Sequence, residues 1–252
     1  MLKTNNLTTF GDTYSNGYKI PFKIHYTFKN HNLPNDILLT IRANKKLCKE
    51  FEFKFYNDED VSKYISDNFA DNIFKAYDSI NPIYGAMRAD FFRYCILYNE
   101  GGVYIDIKSQ IHKSLIEVIS KDDVCILDIP TVAYEPWRKH VRPTYEQWLL
   151  IFAPKHPYLH SMIELMTDYI LTKYQPTIPG INKPNSKQMI LNITGPDALS
   201  LAIEKYINKT SNILHRNVLY GTFAKRVASD YYNMYRVNGV KHYSEYTESL
   251  YK

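Results

Sequence analysis

Five polar residues between positions 90 and 108 carry groups that can bind a ligand. Asp90 and Arg93 are three residues apart, a spacing that puts them on one face of a helix. Tyr104, Asp106 and Lys108 alternate with apolar residues, as on a strand with one polar side. Both sets would meet at the carboxyl end of that strand, where open α/β sheets bind ligands. The guanidinium of Arg93 could hold paired oxygens of such a ligand.

The sequence also marks the helix and the strand that would position these residues. Apolar residues repeat at helical spacing through 84–99, and Gly101-Gly102 would end that helix. The residues that follow, 103–107, have the pattern of a buried strand. The apolar stripe of the helix consists of Met87, Phe91, Tyr94, Cys95 and Tyr98.

The rest of the chain alternates strands with helices, which predicts an α/β sandwich. Asp36 is expected to cap a helix over 37–48, and the run Asn57-Asp58-Glu59-Asp60 is expected to cap the helix after the next strand. Further strands are predicted at 22–28, 51–56 and 125–129, and further helices up to about residue 77, over 158–173 and over 197–208.

The composition is that of an ordinary globular protein. Of the 252 residues, 45% are hydrophobic and 23% are charged, which excludes a wholly disordered chain. The net charge of +5 is smaller than a dedicated nucleic-acid binder usually carries, so we expect no nucleic-acid partner. The apolar runs are too short for a membrane span or a signal peptide, which favours a cytoplasmic location. We expect residues 1–18 to form a flexible arm and 19–252 to form one domain.

The stretch 89–106 reads A-D-x-x-R-Y-x-x-L-Y-x-x-G-G-x-Y-x-D. It resembles the signature of glycosyltransferases with a DXD sugar-binding motif. That family includes the fungal initiating α-1,6-mannosyltransferases, and the clostridial glucosylating toxins carry a related pattern. Other blocks of the family recur here in consistent order: an opening strand at 20–28, a second strand at 53–58, Gln147-Trp148 with A-P-K-H-P at 153–157, and Thr194-Gly195-Pro196.

The resemblance implies a GT-A type fold, with a Rossmann-like nucleotide-binding mixed sheet flanked by helices. It also implies a hexosyltransferase that moves a sugar, with retention of configuration, from a UDP-sugar or GDP-mannose. The acceptor would be a hydroxyl group on a glycan, a glycolipid or a protein. By the same resemblance, the catalytic residues would be Asp90, Arg93, Asp106 and Gln147, and donor binding would also involve Tyr26, Phe28, Gly102, Tyr104, Lys108, Ser249 and Tyr251.

One departure from the family pattern concerns the metal. The motif ends Asp106-Ile107-Lys108, so a lysine stands where the family has its second aspartate. An ammonium ion cannot ligate a cation, but it supplies the positive charge that a metal would bring to a leaving diphosphate. We expect a site assisted by Mn²⁺ or Mg²⁺, in which the carboxyl-terminal tail supplies ligands besides Asp106; if the tail does not close over the site, Lys108 must offset the charge alone. The candidates in the tail are His242, Glu248 and Ser249.

Alternative readings stay open at this point. The chain could be a nucleotide-sugar binding module whose turnover is weakened by Lys108, or a basic protein that binds polyanions. The basic segment from Arg138 to Arg142 is either a solvated loop or an acceptor-binding surface. Asp90 and Arg93 could form a simple helix salt bridge, and the tail could be a frayed terminus. His25 and His156 are interpreted as hydrogen-bonded structural residues.

Overall fold

A computed structural model describes residues 10–14, 16–129, 144–178, 180–219, 221–226 and 242–252. Helices and strands alternate through most of this range, as the sequence predicts. The strands are β1 (Lys23–Thr27), β2 (Glu52–Tyr56), β3 (Gly102–Ile105), β4 (Ser109–Ile111), β5 (Cys125–Ile129), β6 (Leu149–Phe152), β7 (Arg216–Leu219) and β8 (Ala224–Arg226). The helices are α1 (Asn35–Leu47), α2 (Asp58–Asn68), α3 (Asp71–Ser79), α4 (Gly85–Glu100), α5 (Pro157–Leu171), α6 (Ser186–Ile193) and α7 (Pro196–Thr210).

Within the described residues, six strands form one mixed sheet in the order β2-β1-β3-β6-β5-β7. β1 is parallel to both β2 and β3, whereas β6 is antiparallel to its neighbours β3 and β5. β5 and β7 are parallel to each other, so β1, β2, β3, β5 and β7 all end at the same edge of the sheet. The short strands β4 and β8 pair separately, in antiparallel register.

Apolar residues cover both faces of the sheet, and the period-two alternation of the strands divides them into two cores. Tyr104 and Leu150 are opposite each other on β3 and β6 and pack in the core that includes α4 and α5. Their neighbours Val103 and Ile151 pack in the core on the other face, with Ile37 of α1. The predicted α/β sandwich is confirmed.

Several details differ from the sequence-based expectations. Helix α1 begins at Asn35 and has no side-chain cap, so Asp36 lies in its first turn and is not the capping residue. Asn57 does cap α2, through a capping box with Asp60. Strand β3 ends at Ile105, two residues earlier than expected, because the chain turns there. The sequence patterns did not predict α6, β4, β6, β7 or β8. The arm over 1–18 and the single domain over 19–252 stay predictions.

Two buried histidines have the structural roles that the sequence suggested. His25 Nε2 lies 3.0 Å from Gly101 O and donates to it, since a carbonyl can only accept. This bond ties β1 to the turn between α4 and β3, and burial lowers the pKa of His25 to about 4. His156 Nε2 lies 3.1 Å from Leu214 O, and burial lowers its pKa to about 3. Both rings are therefore neutral at pH 7.

The turn from α4 into β3 depends on two glycines. Gly101 ends α4 with a φ of 64°, and Gly102 begins β3 with a φ of 95°. A Cβ on Gly102 would lie 2.6 Å from Lys23 O, a backbone atom of the neighbouring strand. The double glycine is thus required both by backbone conformation and by the close approach of β1.

We expect Gly102→Ala to lower the free energy of unfolding by about 2–4 kcal/mol, because the new methyl group meets backbone at a left-handed position. Gly85→Ala is the matched control, since a Cβ there has nothing within 4 Å and Gly85 is the first residue of a helix. Urea denaturation of both variants measures the difference. Equal stability of the two variants would show that β1 does not constrain this turn.

Candidate active site

The centre of the candidate site is a buried arginine. Every residue of α4 from Asp90 to Asn99 is buried, so this part of the helix is enclosed on all sides. Arg93 Nη2 lies 2.9 Å from Asp90 Oδ1 on the preceding turn of the helix and 3.2 Å from Asp106 Oδ1. Arg93 Nη1 donates to Gln147 O at 2.7 Å, and the guanidinium lies 4.6 Å from the centroid of the Tyr104 ring. The predicted residues Asp90, Arg93, Tyr104, Asp106 and Gln147 are therefore brought together.

A hydrogen-bond network holds the second carboxylate oxygen of Asp90 and the amide of Gln147. Thr194 Oγ1 donates to Asp90 Oδ2 at 3.1 Å, and Gln147 Nε2 donates to Asp90 Oδ1 at 3.2 Å. The Tyr94 hydroxyl donates to Gln147 Oε1 at 2.6 Å. Tyr94 and Thr194 were not predicted as site residues, although the motifs R-Y and T-G-P contain them. The site is thus built from α4, the end of β3, the approach to β6 and the turn before α7.

The charges of the cluster are strongly perturbed by burial. Burial raises the pKa of Asp90 to about 6, and the positive charge of Arg93 only partly offsets this effect. Burial alone would lower the pKa of Arg93, but Asp90, Tyr104 and Asp106 hold it above its usual value, so the guanidinium stays charged. A buried carboxyl group with a pKa near neutrality, beside a fixed cation, is typical of ligand-binding and catalytic sites.

Arg93 also has an unused donor. Its Nε–H is buried and has no hydrogen-bond acceptor among the described residues. Leaving such a group without a partner costs free energy, and functional sites are where such costs concentrate. Asp106 is the member of the cluster that solvent reaches, since 21% of its side chain is exposed against 5% for Asp90 and for Arg93. A ligand would therefore approach from the side of Asp106.

Asp106 and Lys108 lie in a turn and not on the strand that the sequence predicted. Asp106 N still donates to Trp148 O at 2.8 Å, as a continuation of the β3–β6 ladder. Ser109 N then donates to Asp106 O at 2.8 Å, which turns the chain into β4. Both residues nevertheless lie at the carboxyl edge of the sheet, where they were expected.

Three predicted donor-binding residues are not part of the cluster. Tyr26 is buried on the other face of the sheet, where Asn44 Nδ2 donates to its hydroxyl at 2.9 Å. Phe28 follows the end of β1 and packs against that same core. Gly102 lies at the amino end of β3, about 13 Å along the strand from Asp106 at 3.3 Å per residue. The close approach of Gly102 to β1 is sufficient to explain why this position is glycine, so no contact with a ligand is needed to explain it.

The carboxyl-terminal tail is docked onto the body of the protein and is not frayed. Asn81 N donates to Leu250 O at 2.8 Å, Lys252 N to Ser79 O at 2.9 Å, and the Tyr84 hydroxyl to Glu248 O at 2.6 Å. The tail thus lies against the segment between α3 and α4, just before the helix that carries Asp90. Of the two tail residues predicted to bind the donor, Ser249 is exposed and Tyr251 is buried.

The residues predicted to hold a divalent metal do not fit one. In the described part of the chain, no three His, Cys, Asp or Glu side chains converge on a common point. The carboxylate of Asp106 is bonded to Arg93, that of Glu248 accepts from Thr247 N at 2.9 Å, and Lys108 adds positive charge. The four predicted ligands were Asp106, His242, Glu248 and Ser249.

The basic segment from Arg138 to Arg142 lies outside the described residues. Among the described helices, none combines the length and the apolarity that crossing a bilayer requires.

With this geometry established, comparison with known proteins identifies the architecture. In solved structures, the chain is similar to the PaToxG glycosyltransferase, with a TM-score of 0.54 and 14% identity over 75% of this chain and 70% of that one. It is also similar to the ligand-free glycosyltransferase domain of the YGT toxin, with a TM-score of 0.54 and 11% identity over 88% and 86% of the two chains. The fold is that of a GT-A glycosyltransferase domain. The predicted fold class is confirmed.

Sequence comparison also indicates similarity to glycosyltransferases. Residues 34–125 match the family described as the glycosyltransferase sugar-binding region containing a DXD motif. Inositol phosphoceramide mannosyltransferase 2 of Schizosaccharomyces pombe is 26% identical over 77% of this chain and 49% of its own length. The initiation-specific α-1,6-mannosyltransferase of Candida albicans is 29% identical over 48% of this chain and 35% of its own length. The chain spans about half the length of the first of these relatives and about a third of the second. The resemblance to DXD glycosyltransferases is confirmed.

The raised pKa of Asp90 predicts how stability depends on pH. Its folded-state pKa of about 6 exceeds the usual value of 3.8, so its contribution to stability is present below pH 3.8 and is lost as pH rises through 6. Asn at this position does not titrate. We therefore expect the unfolding free energy of the Asp90→Asn variant to rise by about 2–3 kcal/mol relative to that of the unmodified chain between pH 4 and pH 7. Denaturation of both proteins at several pH values measures this shift, and a constant difference would contradict it.

Proposed function

We propose that the chain is a glycosyltransferase that moves a hexose from a nucleotide-sugar donor to a hydroxyl acceptor with retention of configuration. The observation that carries this proposal is the buried Asp90–Arg93–Asp106 cluster, with an unused guanidinium donor, at the carboxyl edge of a GT-A sheet. A simple helix salt bridge would be exposed and would not recruit a carboxylate from a second element. The similarity to named glycosyltransferases supports the same activity.

The residues of the cluster suit the binding of a sugar. A carboxylate accepts hydrogen bonds from sugar hydroxyls, and the side chain of Asp106 is partly exposed to solvent. Arg93 can donate its Nε–H to a hydroxyl or phosphate oxygen of the same donor. Because the guanidinium is fixed by Asp90 and by Gln147 O, it is already oriented before the donor binds.

In the reaction, the bond from the anomeric carbon to the diphosphate oxygen breaks and a bond to the acceptor oxygen forms. The acceptor proton leaves with the diphosphate, which carries the growing negative charge. Asp90 and Asp106 would stabilise the positive charge that develops at the anomeric carbon, and Arg93 would hold the donor in place. Gln147, which connects Asp90 to Tyr94, would keep the carboxylate oriented.

The relatives suggest which donor and which acceptor to test first. Several sequence relatives are named as mannosyltransferases, three of them with inositol phosphoceramide in the name, which supports GDP-mannose and a glycolipid acceptor. The structure of the YGT toxin domain bound to UDP, which has a TM-score of 0.51 with this chain, supports UDP-sugars as the second candidate. A thermal-shift panel of GDP-mannose and UDP-hexoses, followed by assays of donor hydrolysis and transfer, distinguishes the two.

We expect Arg93→Lys to lower transfer or donor hydrolysis at least about a hundredfold, because an ammonium cannot contact Asp90, Asp106 and Gln147 O at once. Arg216→Lys is the matched control. Arg216 also binds a carboxylate with two nitrogens, Nε and Nη2 on Asp123 at 3.0 and 2.7 Å, but it is partly exposed and lies outside the cluster. Equal turnover of the two variants would reduce Arg93 to a structural residue.

Asp106→Asn tests the solvent-facing carboxylate. We expect it to abolish turnover while the circular dichroism spectrum and the unfolding midpoint change little, because the amide oxygen of Asn can still accept from Arg93 and Asp90 still pairs the guanidinium. Donor binding without turnover by the unmodified chain would instead favour a nucleotide-sugar binding module. Tight binding of oligonucleotides that weakens steeply with salt would favour a polyanion-binding protein.

A further inference from the structure

One buried asparagine connects three elements of the fold through its side-chain amide. Asn44 lies in the last turn of α1 and is fully buried. Its Nδ2 donates to the hydroxyl of Tyr26 on β1 and to Ser109 O on β4, both at 2.9 Å. Its Oδ1 accepts from Ile111 N at 2.9 Å. Both protons of the amide and its oxygen are therefore used, and α1 is joined to β1 and to β4.

The two contacts with β4 take the place of a neighbouring strand. Asn44 binds the carbonyl and the N–H on the two sides of Gln110, as the backbone of an adjacent parallel strand would. Among the described strands, only β8 pairs with β4. Ser109 and Ile111 are both buried, and a buried backbone group without a partner costs free energy. The asparagine therefore fixes the position of β4 against α1.

The start of β4 is also the end of the turn that carries the solvent-facing carboxylate of the candidate site. We call residues 106–109 the Asp106 turn. Ser109 N donates to Asp106 O at 2.8 Å and closes the turn, while Ser109 O accepts from Asn44. The side chain of Asp106 contacts Arg93 of α4 at 3.2 Å on one face of the sheet, whereas α1 packs on the opposite face. The position of Asp106 is therefore fixed from both faces.

We propose that Asn44 is a positioning residue for the transfer reaction, because it holds the Asp106 turn where the carboxylate can stabilise charge at the anomeric carbon. The inference rests on the proposed function, in which Asp106 has that role. Asn44 lies on the other side of the sheet from Asp90 and Arg93, so it acts through the turn and not on the donor. The effect can be large, since a displacement of about 1 Å at a catalytic group can lower a rate about a hundredfold.

Two substitutions separate the contact with Ser109 from the burial of the side chain. Asn44→Leu keeps a similar size and removes every hydrogen bond of the amide at any pH. Asn44→Asp still accepts from Ile111 N, but an ionised carboxylate has no proton for Ser109 O. Because burial raises the pKa of a carboxyl group, lowering the pH protonates it and restores the donor. We expect the kcat of Asn44→Leu to be about tenfold below that of the unmodified chain throughout, and the deficit of Asn44→Asp to shrink as pH falls.

The measurement is the release of hexose from GDP-mannose, and in parallel from UDP-glucose, between pH 5 and pH 8. Each kcat is divided by that of the unmodified chain at the same pH, and urea unfolding checks that each variant is folded under the assay conditions. The donor KM is expected to change less than about threefold, because Asp90 and Gln147 O still orient Arg93. The Tyr26 hydroxyl and the Cys48 thiol, one turn along α1, stay neutral over this range because burial raises the pKa of both.

Asn99→Leu and Asn99→Asp are the matched controls. Asn99 is also a buried asparagine, but it lies near the end of α4, at the amino edge of the sheet. There its Oδ1 accepts from Lys155 Nζ at 2.7 Å. Both control variants are expected to keep the kcat of the unmodified chain at every pH, because neither touches the Asp106 turn.

A deficit in Asn44→Leu that Asn44→Asp lacks at pH 5 would support the inference, since only a protonated aspartate restores the donor to Ser109 O. Unchanged kcat in Asn44→Leu, or an equal deficit of Asn44→Asp at pH 5 and pH 8, would overturn the inference and leave the proposed function intact. Failure of both Asn44 variants to fold would make Asn44 a structural residue and would also overturn it. If the unmodified chain neither binds nor hydrolyses either nucleotide-sugar, the inference and the proposed function both fail.

Discussion

The structure around the site depends on keeping the charge of Arg93 inside the protein. A guanidinium that is almost fully buried must be paired and hydrogen-bonded, because the desolvation of an unpaired charge costs several kcal/mol. Asp90 is the nearest partner, on the same helix, but a single carboxylate leaves most of the guanidinium donors unused. The remaining contacts come from Asp106 and from Gln147 O, on two other segments. Satisfying one charge therefore fixes α4, the end of β3 and the approach to β6 relative to one another.

The same requirement continues outward from Asp90. Its second oxygen accepts from Thr194, in the turn that begins α7, and its first also accepts from Gln147. In that turn a Cβ on Gly195 would lie 2.4 Å from Leu191 Cα. The turn can therefore pack against α6 only if position 195 is glycine. A motif far along the chain is thus required both by packing and by the carboxylate it serves. This explains why a signature around 89–106 and a T-G-P turn occur together in one sequence.

Periodicity predicted the parts of this fold that local patterns determine. The apolar repeat of α4, the double glycine and the alternation of β2 place those elements to within a residue or two. It could not predict where β3 ends, because that depends on Ser109 N bonding to Asp106 O in the following turn. Helix α6 was missed because it is only eight residues long and follows a proline-rich loop. Part of the candidate site could be predicted, because the spacing of Asp90, Arg93 and Asp106 indicates that they lie together. Thr194 and Tyr94 were missed, because they reach the cluster through long-range packing that spacing does not reveal.

The predicted site residues that the structure leaves outside the cluster have a common explanation. Tyr26 and Gly102 match family positions, but each has a sufficient structural role here, Tyr26 as the acceptor for Asn44 and Gly102 as the close contact with Lys23 O. Asp90 differs from both. Burial holds its pKa about two units above the usual value, so at neutral pH the fold maintains an ionised carboxylate at a cost in stability. An amide of the same shape would avoid that cost but would leave the buried guanidinium with one carboxylate fewer. An ionised Asp90 beside a buried arginine with an unused donor therefore supports the proposal that this cluster is a site and not only a salt bridge.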